Sequence, residues 1–205
     1  MSPQQLATVA LALVKLGVSK VSKANATSSE ATSSEATSSE ATSKASSRAA
    51  ASDRRTLKRL SRHSRARLAA FNAQDLDNLA SAFARAGRWR APTLVRDLAN
   101  AGADAITKPG AGFPSRNLAN LVGAVAKLYT ATRRDMSSPT SEAAARAVAR
   151  LASVAASAVR SRIADFNLRD LANTACGLAA IGQVKNPNAP FSHMWRPHFS
   201  HMPKN

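Results

Sequence analysis

The 205 residues carry 29 lysines and arginines against 12 aspartates and glutamates, a net charge of +17 and a pI near 11.6. That balance calls for an anionic partner, most simply nucleic acid, while a single cysteine, Cys176, excludes an intrachain disulfide framework and a multi-cysteine zinc site. Hydrophobic residues reach 44% but aromatics only 4%, and alanine exceeds a fifth of the chain, which favours close-packed helices over a sheet protein.

The chain divides into four parts: residues 1–18, 19–52, 53–185 and 186–205. The first holds one helix. Ser2-Pro3-Gln4-Gln5 reads as an N-cap serine, a proline at the first helical position and a glutamine closing a capping box. Its apolar run, Ala7 to Val14, has no positive charge before it and is cut short by Lys15, unlike a signal peptide. No apolar run approaches the roughly 18 residues of a membrane span. Residues 19–52 are nearly all Ser, Ala, Thr, Glu and Lys, with Ala-Thr-Ser-Ser-Glu three times between Ala26 and Glu40. That pattern has no helical face, and a solvated linker is expected.

Asp53 to Ala70 has helical composition and holds seven cations and no acid between Arg54 and Arg67. On a helix Arg55, Lys58, Arg59 and Arg62 share one face, with Leu57, Leu60 and Leu68 on another. Such a helix suits a phosphate backbone, although a solvated face, a calmodulin-like partner or an anionic surface would use the same pattern.

The organising feature is a repeat. Four copies of one segment open at Met1, Phe71, Phe113 and Phe166, separated by 70, 42 and 53 residues. Apolar or small residues recur at offsets 0, +3, +4, +7 and +10, as in Leu118, Leu121, Val122, Val125 and Leu128. This is one face of an α-helix. In the other copies the same places hold Leu6, Val9, Ala10, Leu13 and Leu16; Leu76, Leu79, Ala80, Phe83 and Ala86; Leu171, Thr174, Ala175, Leu178 and Ile181. Asn72 with Asp75, and Asn167 with Asp170, repeat the capping pattern, and Gly17, Gly87 and Gly182 stand where left-handed C-caps belong. Asp53 to Ala70, Pro92 to Ile106 and Pro139 to Ala164 are the expected second helices. With about 32 low-complexity residues set aside, the unit is a helix pair of roughly 38–42 residues. The expectation is therefore an all-α protein, an α-solenoid of tandem helix pairs.

The string Ser2-Pro-Gln-Gln-Leu-Ala-Thr-Val-Ala-Leu-Ala-Leu-Val-Lys-Leu-Gly17, with Leu118-Ala-Asn-Leu-Val-Gly-Ala-Val-Ala-Lys-Leu128 and Asp170-Leu-Ala-Asn173, resembles the octotricopeptide repeat, a family related to the FAST leucine-rich and RAP-type helical-repeat proteins. The likeness covers all four first helices and, more loosely, three second helices. Where the family has tryptophan this chain has Leu11, Ser81, Gly123 and Cys176. The resemblance implies an RNA-binding solenoid of chloroplast or mitochondrion, acting in the processing, stability or translation of an organellar transcript. The pitch is irregular and the chain begins inside such an architecture without transit-peptide composition, as expected of a fragment or of a decaying copy.

Opposite the apolar face each first helix carries a stripe of amide, small and cationic groups: Gln4, Thr8, Leu11, Lys15; Gln74, Asn78, Ser81, Arg85; Arg116, Asn120, Gly123, Lys127; Arg169, Asn173, Cys176, Ala180. An amide can bond a base edge and a cation a phosphate. Asn78, Asn120 and Asn173 either do this or hydrogen-bond a neighbouring helix, since asparagine mid-helix needs a partner. The varying place four residues earlier (Gln4, Gln74, Arg116, Arg169) is the better reader of sequence. The candidate RNA contacts are thus Arg54, Arg55, Lys58, Arg59, Arg62, Gln74, Asn78, Arg85, Arg116, Asn120, Lys127, Arg169 and Asn173. Cys176 is expected to be a small packing residue, and Trp89 to close a turn against Pro92 rather than stack a base. His193, His198 and His201 lack a nearby carboxylate or cysteine and suit a frayed tail better than a metal site. No phosphate loop, nucleophile elbow or paired carboxylates occur, so neither catalysis, a cofactor nor a small-molecule substrate is expected. The expected partner is single-stranded RNA, with other proteins of a ribonucleoprotein complex. The alternative is a protein-scaffolding solenoid whose basic surface meets an acidic partner.

Overall fold

The computed structural model describes residues 2–15, 55–86, 91–109, 112–132 and 138–185. The linker expected at 19–52, the tail at 186–205 with its histidines, Arg54, Leu16, Trp89 and the C-caps expected at Gly17 and Gly87 lie outside them. The described residues are helical, with no strand among them: α1 Pro3–Lys15, α2 over 55–65, α3 Ala73–Arg85, α4 Pro92–Thr107, α5 Ser115–Thr132, α6 Pro139–Ser161 and α7 Leu168–Lys185.

Their starts follow from the capping chemistry. Ser2 Oγ accepts from the Gln5 amide at 3.2 Å, and Gln5 Oε1 accepts from the Ser2 amide at 2.7 Å, a closed capping box. Asn72 and Asn167 accept from the amides of Asp75 and Asp170 at 2.9 and 2.8 Å. Ser138 caps α6 by accepting from the Ser141 amide at 3.2 Å, with Pro139 at the first turn. Removing one such cap costs about 1 kcal/mol.

Two of the second helices, α2 and α6, stop before the next copy for a shared reason. After α2 and α6 the chain tightens into 3-10 turns, Leu68–Ala70 and Ile163–Asp165. Each turn ends as the amide of Phe71 or Phe166 donates to the carbonyl of Leu68 or Ile163, at 3.1 and 3.2 Å. The two phenylalanines, and Phe113, are then buried. These turns, rather than continuous helix, occupy the ends of the segments expected to run to Ala70 and Ala164.

Successive first helices pack on one another: α1 on α3, α3 on α5, α5 on α7. The second helices α4 and α6 pack together and against the first helices, closing one hydrophobic core between them. All five apolar places of α5 are buried, as are four of the five in α3. Burial of each leucine contributes about 1.5–3 kcal/mol. In α7 the fit is looser, since Ala175 is exposed. Gly182 is a second departure. It lies inside α7, which runs on to Lys185, so it is not a C-cap; a glycine in a last helical turn costs only about 1 kcal/mol against alanine, and the helix continues through it.

Gly177 has a steric reason, set by backbone as well as side chain. A Cβ on Gly177 of α7 would lie 2.9 Å from Val122 Cγ1 and 3.2 Å from the Gly123 amide nitrogen of α5. The two helix backbones meet there, and no larger residue fits without movement.

Candidate nucleic-acid interface

The first-helix stripes converge. Ser81 and Arg85 of α3, Asn120, Gly123 and Lys127 of α5, and Asn173, Cys176 and Ala180 of α7 line one groove of about 420 Å³. They arrive together because each occupies the same place in its repeat and each helix packs against the next. Alanines at 84, 119, 124 and 126 and Gly177 make up much of the floor, which lets a ligand come close to the helix backbones. The lining includes two cations and, among the described residues, no carboxylate.

Asn120 is fixed in place. Its Nδ2 donates to Asp77 Oδ2 at 3.0 Å, and Asn117 Nδ2 donates to the same oxygen at 3.2 Å. Ser81 Oγ donates to Asp77 Oδ1 at 3.1 Å. Asp77 is buried, and these three donors satisfy its carboxylate. This clamp was not visible in the repeat pattern. The equivalent places hold Ala7, Ala119 and Ala172, so nothing comparable stands opposite Asn78 or Asn173. Of the two readings left open for the asparagines, a bond to the neighbouring helix therefore describes the Nδ2 of Asn120. Asn78 is half-buried and Asn173 exposed.

The remaining candidates stand apart from the groove. Gln74, Arg116 and Arg169 are exposed near the starts of their helices. Arg55, Lys58, Arg59 and Arg62 are exposed along α2, while Leu57 and Leu60 are buried, the two faces expected of it. The last turn of α2 is tied to the second helices, since Arg65 Nε donates to Asp97 Oδ2 of α4 at 2.6 Å. Arg54 lies outside the described residues. Cys176 corrects an expectation: it is exposed on the groove rather than packed, and among the described residues no helix follows α7 to cover that side.

The second helices handle charge differently. Asp97 also meets Arg96 at 2.7 Å, and Asp104 of α4 meets Arg150 of α6 at 2.6 Å. A wider cavity of about 640 Å³ beside Arg65, Leu68 and Phe71 is lined by Asp97, Asp104 and Lys108 as well, so it carries both signs. Of the two cavities, the groove on the first helices is the one whose charged lining is cationic alone. Among the described residues no group of histidines, cysteines and acids could hold a metal, and no helix is long and apolar enough to cross a membrane.

Compared with family models, with characterised proteins and with solved structures, the chain finds no match.

Proposed function

We propose that this chain is an α-solenoid of the octotricopeptide kind that binds single-stranded RNA without catalysing a reaction, and that it serves an organellar transcript. The observation that carries the reading is the groove: equivalent residues of three successive first helices line it, with Arg85 and Lys127 as its cations. A single strand is favoured because the groove offers amides and small residues at which unpaired base edges can be met. The row α1, α3, α5, α7 and the pair α4, α6 support the solenoid. The organelle and the place in RNA processing, stability or translation rest on the sequence resemblance.

On this reading the exposed face of α2 contributes phosphate contacts and the stripe contributes preference. Filter binding of single-stranded RNA across salt concentrations tests the function. Affinity should fall steeply with salt, with a slope of roughly 0.7 per phosphate contact on a single strand. Replacing Arg55, Lys58, Arg59 and Arg62 by glutamine should flatten that slope and weaken all RNAs alike. Replacing Arg116 or Arg169 should instead change which sequences a random pool yields. Absence of binding at low salt would overturn the proposal in favour of a protein-scaffolding solenoid with an acidic partner.

A further inference from the structure

The same places in the repeat are covered in some copies and bare in others, and the pattern has a direction. Ala10, Ala80 and Val122, equivalent residues of α1, α3 and α5, are buried; their counterpart Ala175 in α7 is exposed. Ala7, Asp77 and Ala119 are buried, and Ala172 is exposed. Each of these places faces the following first helix. Two larger apolar residues mark the same bare end: Leu168 is 86% exposed and Ile163 59%, whereas Leu68, the equivalent of Ile163, is 6% exposed in a turn that packs on α4.

The opposite end shows the complement. Ala82, Ala124 and Gly177 are buried against the preceding first helix, and their counterpart Ala12 in α1 is exposed. Leu79, Leu121 and Thr174 are buried, and Val9 is half-buried. The contact of Gly177 with Val122 gives the pairing rule. Carried along the repeat, it sets Ala82 opposite Ala10 and Ala124 opposite Ala80. The sizes compensate, alanine with alanine and valine with glycine. The next pair in the series is Ala175 with Ala12.

We infer that the bare face of α7, from Leu168 through Ala172, Ala175 and Ala179, docks the bare face of α1 of a second copy of this chain, continuing the first-helix row from one molecule into the next. The interface repeats one already present three times within the chain. It joins two different surfaces, so it is heterologous, and copies add head to tail instead of closing as a two-fold dimer. Association of this kind is concentration-dependent. The inference does not depend on RNA binding.

Sedimentation velocity of the full chain, nuclease-treated to remove bridging RNA, tests it. The weight-average mass should rise with concentration past twice the 21.5 kDa monomer. Ala175→Glu and Ala12→Glu place charges on exposed positions, so each should keep its helical circular dichroism and sediment as a monomer; Ala179→Glu serves as a second α7 variant. An equimolar mixture of Ala175→Glu and Ala12→Glu should form a dimer and stop there, because each retains the face the other lacks. A full chain that stays monomeric at every concentration overturns the inference. So does a mixture that fails to dimerise, or a single variant that still self-associates.

Discussion

The α3–α5 and α5–α7 junctions occupy the same place in the repeat and are closed by different means. At the first, the buried Asp77 gathers Ser81 of its own helix and Asn117 and Asn120 of the next. At the second, Ala119 stands where the acid was, and the helices close on glycine, with Gly177 against Val122 and Gly123. One junction is held by directed hydrogen bonds, the other by shape. A polar clamp fixes orientation but depends on every partner, whereas a close packed crossing depends on volume alone. The groove spans both junctions, so its geometry inherits each dependence.

The largest expected effect comes from removing the acid. Asp77→Ala leaves the amides of Asn117 and Asn120 and the hydroxyl of Ser81 without their acceptor, and should destabilise the fold by about 3 kcal/mol in urea unfolding. A change below about 0.5 kcal/mol would mean that the clamp contributes orientation and no stability. Next, Gly177→Ala should cost about 2 kcal/mol by overpacking. Val122→Ala makes room on the facing helix, so the double variant should be more stable than the sum of the singles by at least about 0.5 kcal/mol. Strict additivity would show that the Cβ is accommodated by movement elsewhere, and the contrast between the junctions would weaken.

Much of this was legible in the sequence, and what was not has a common cause. Ser2, Asn72, Asn167 and Ser138 announce helix starts because a cap and its partner lie three residues apart. The apolar offsets locate the core face of α5 because helical periodicity is local too. Asp77 stayed hidden because its amide partners lie 40 and 43 residues away, and a lone acid in one copy looks like a solvated one. Cys176 departs from the packing role its small equivalents suggest: Ser81 and Gly123 are half-buried, whereas among the described residues no helix follows α7. Gly182 looked like a cap by register alone. The groove itself was foreshadowed as a stripe on each helix, yet which stripe residues share it follows from packing: Arg85 and Lys127 line it and Arg116 and Arg169 do not.

The smallest expected effect is also the sharpest probe of the clamp. Ser81 contributes one of Asp77's three bonds, at 3.1 Å, and lines the groove as well. Ser81→Ala removes a donor and leaves the carboxylate its two amides, so the loss should be about 1 kcal/mol, a fall in melting temperature of about 2–4 °C. Asn120 remains bonded to Asp77 in this variant, and RNA affinity should change by less than about twofold, a difference of roughly 0.4 kcal/mol. A tenfold loss of affinity with the same small loss of stability would place the hydroxyl on the RNA itself. Its role in the clamp would then be secondary. The equivalent places at the other end of the groove, Gly123 and Cys176, carry no hydroxyl, so the outcome separates a property of the α3–α5 junction from a property of the repeat.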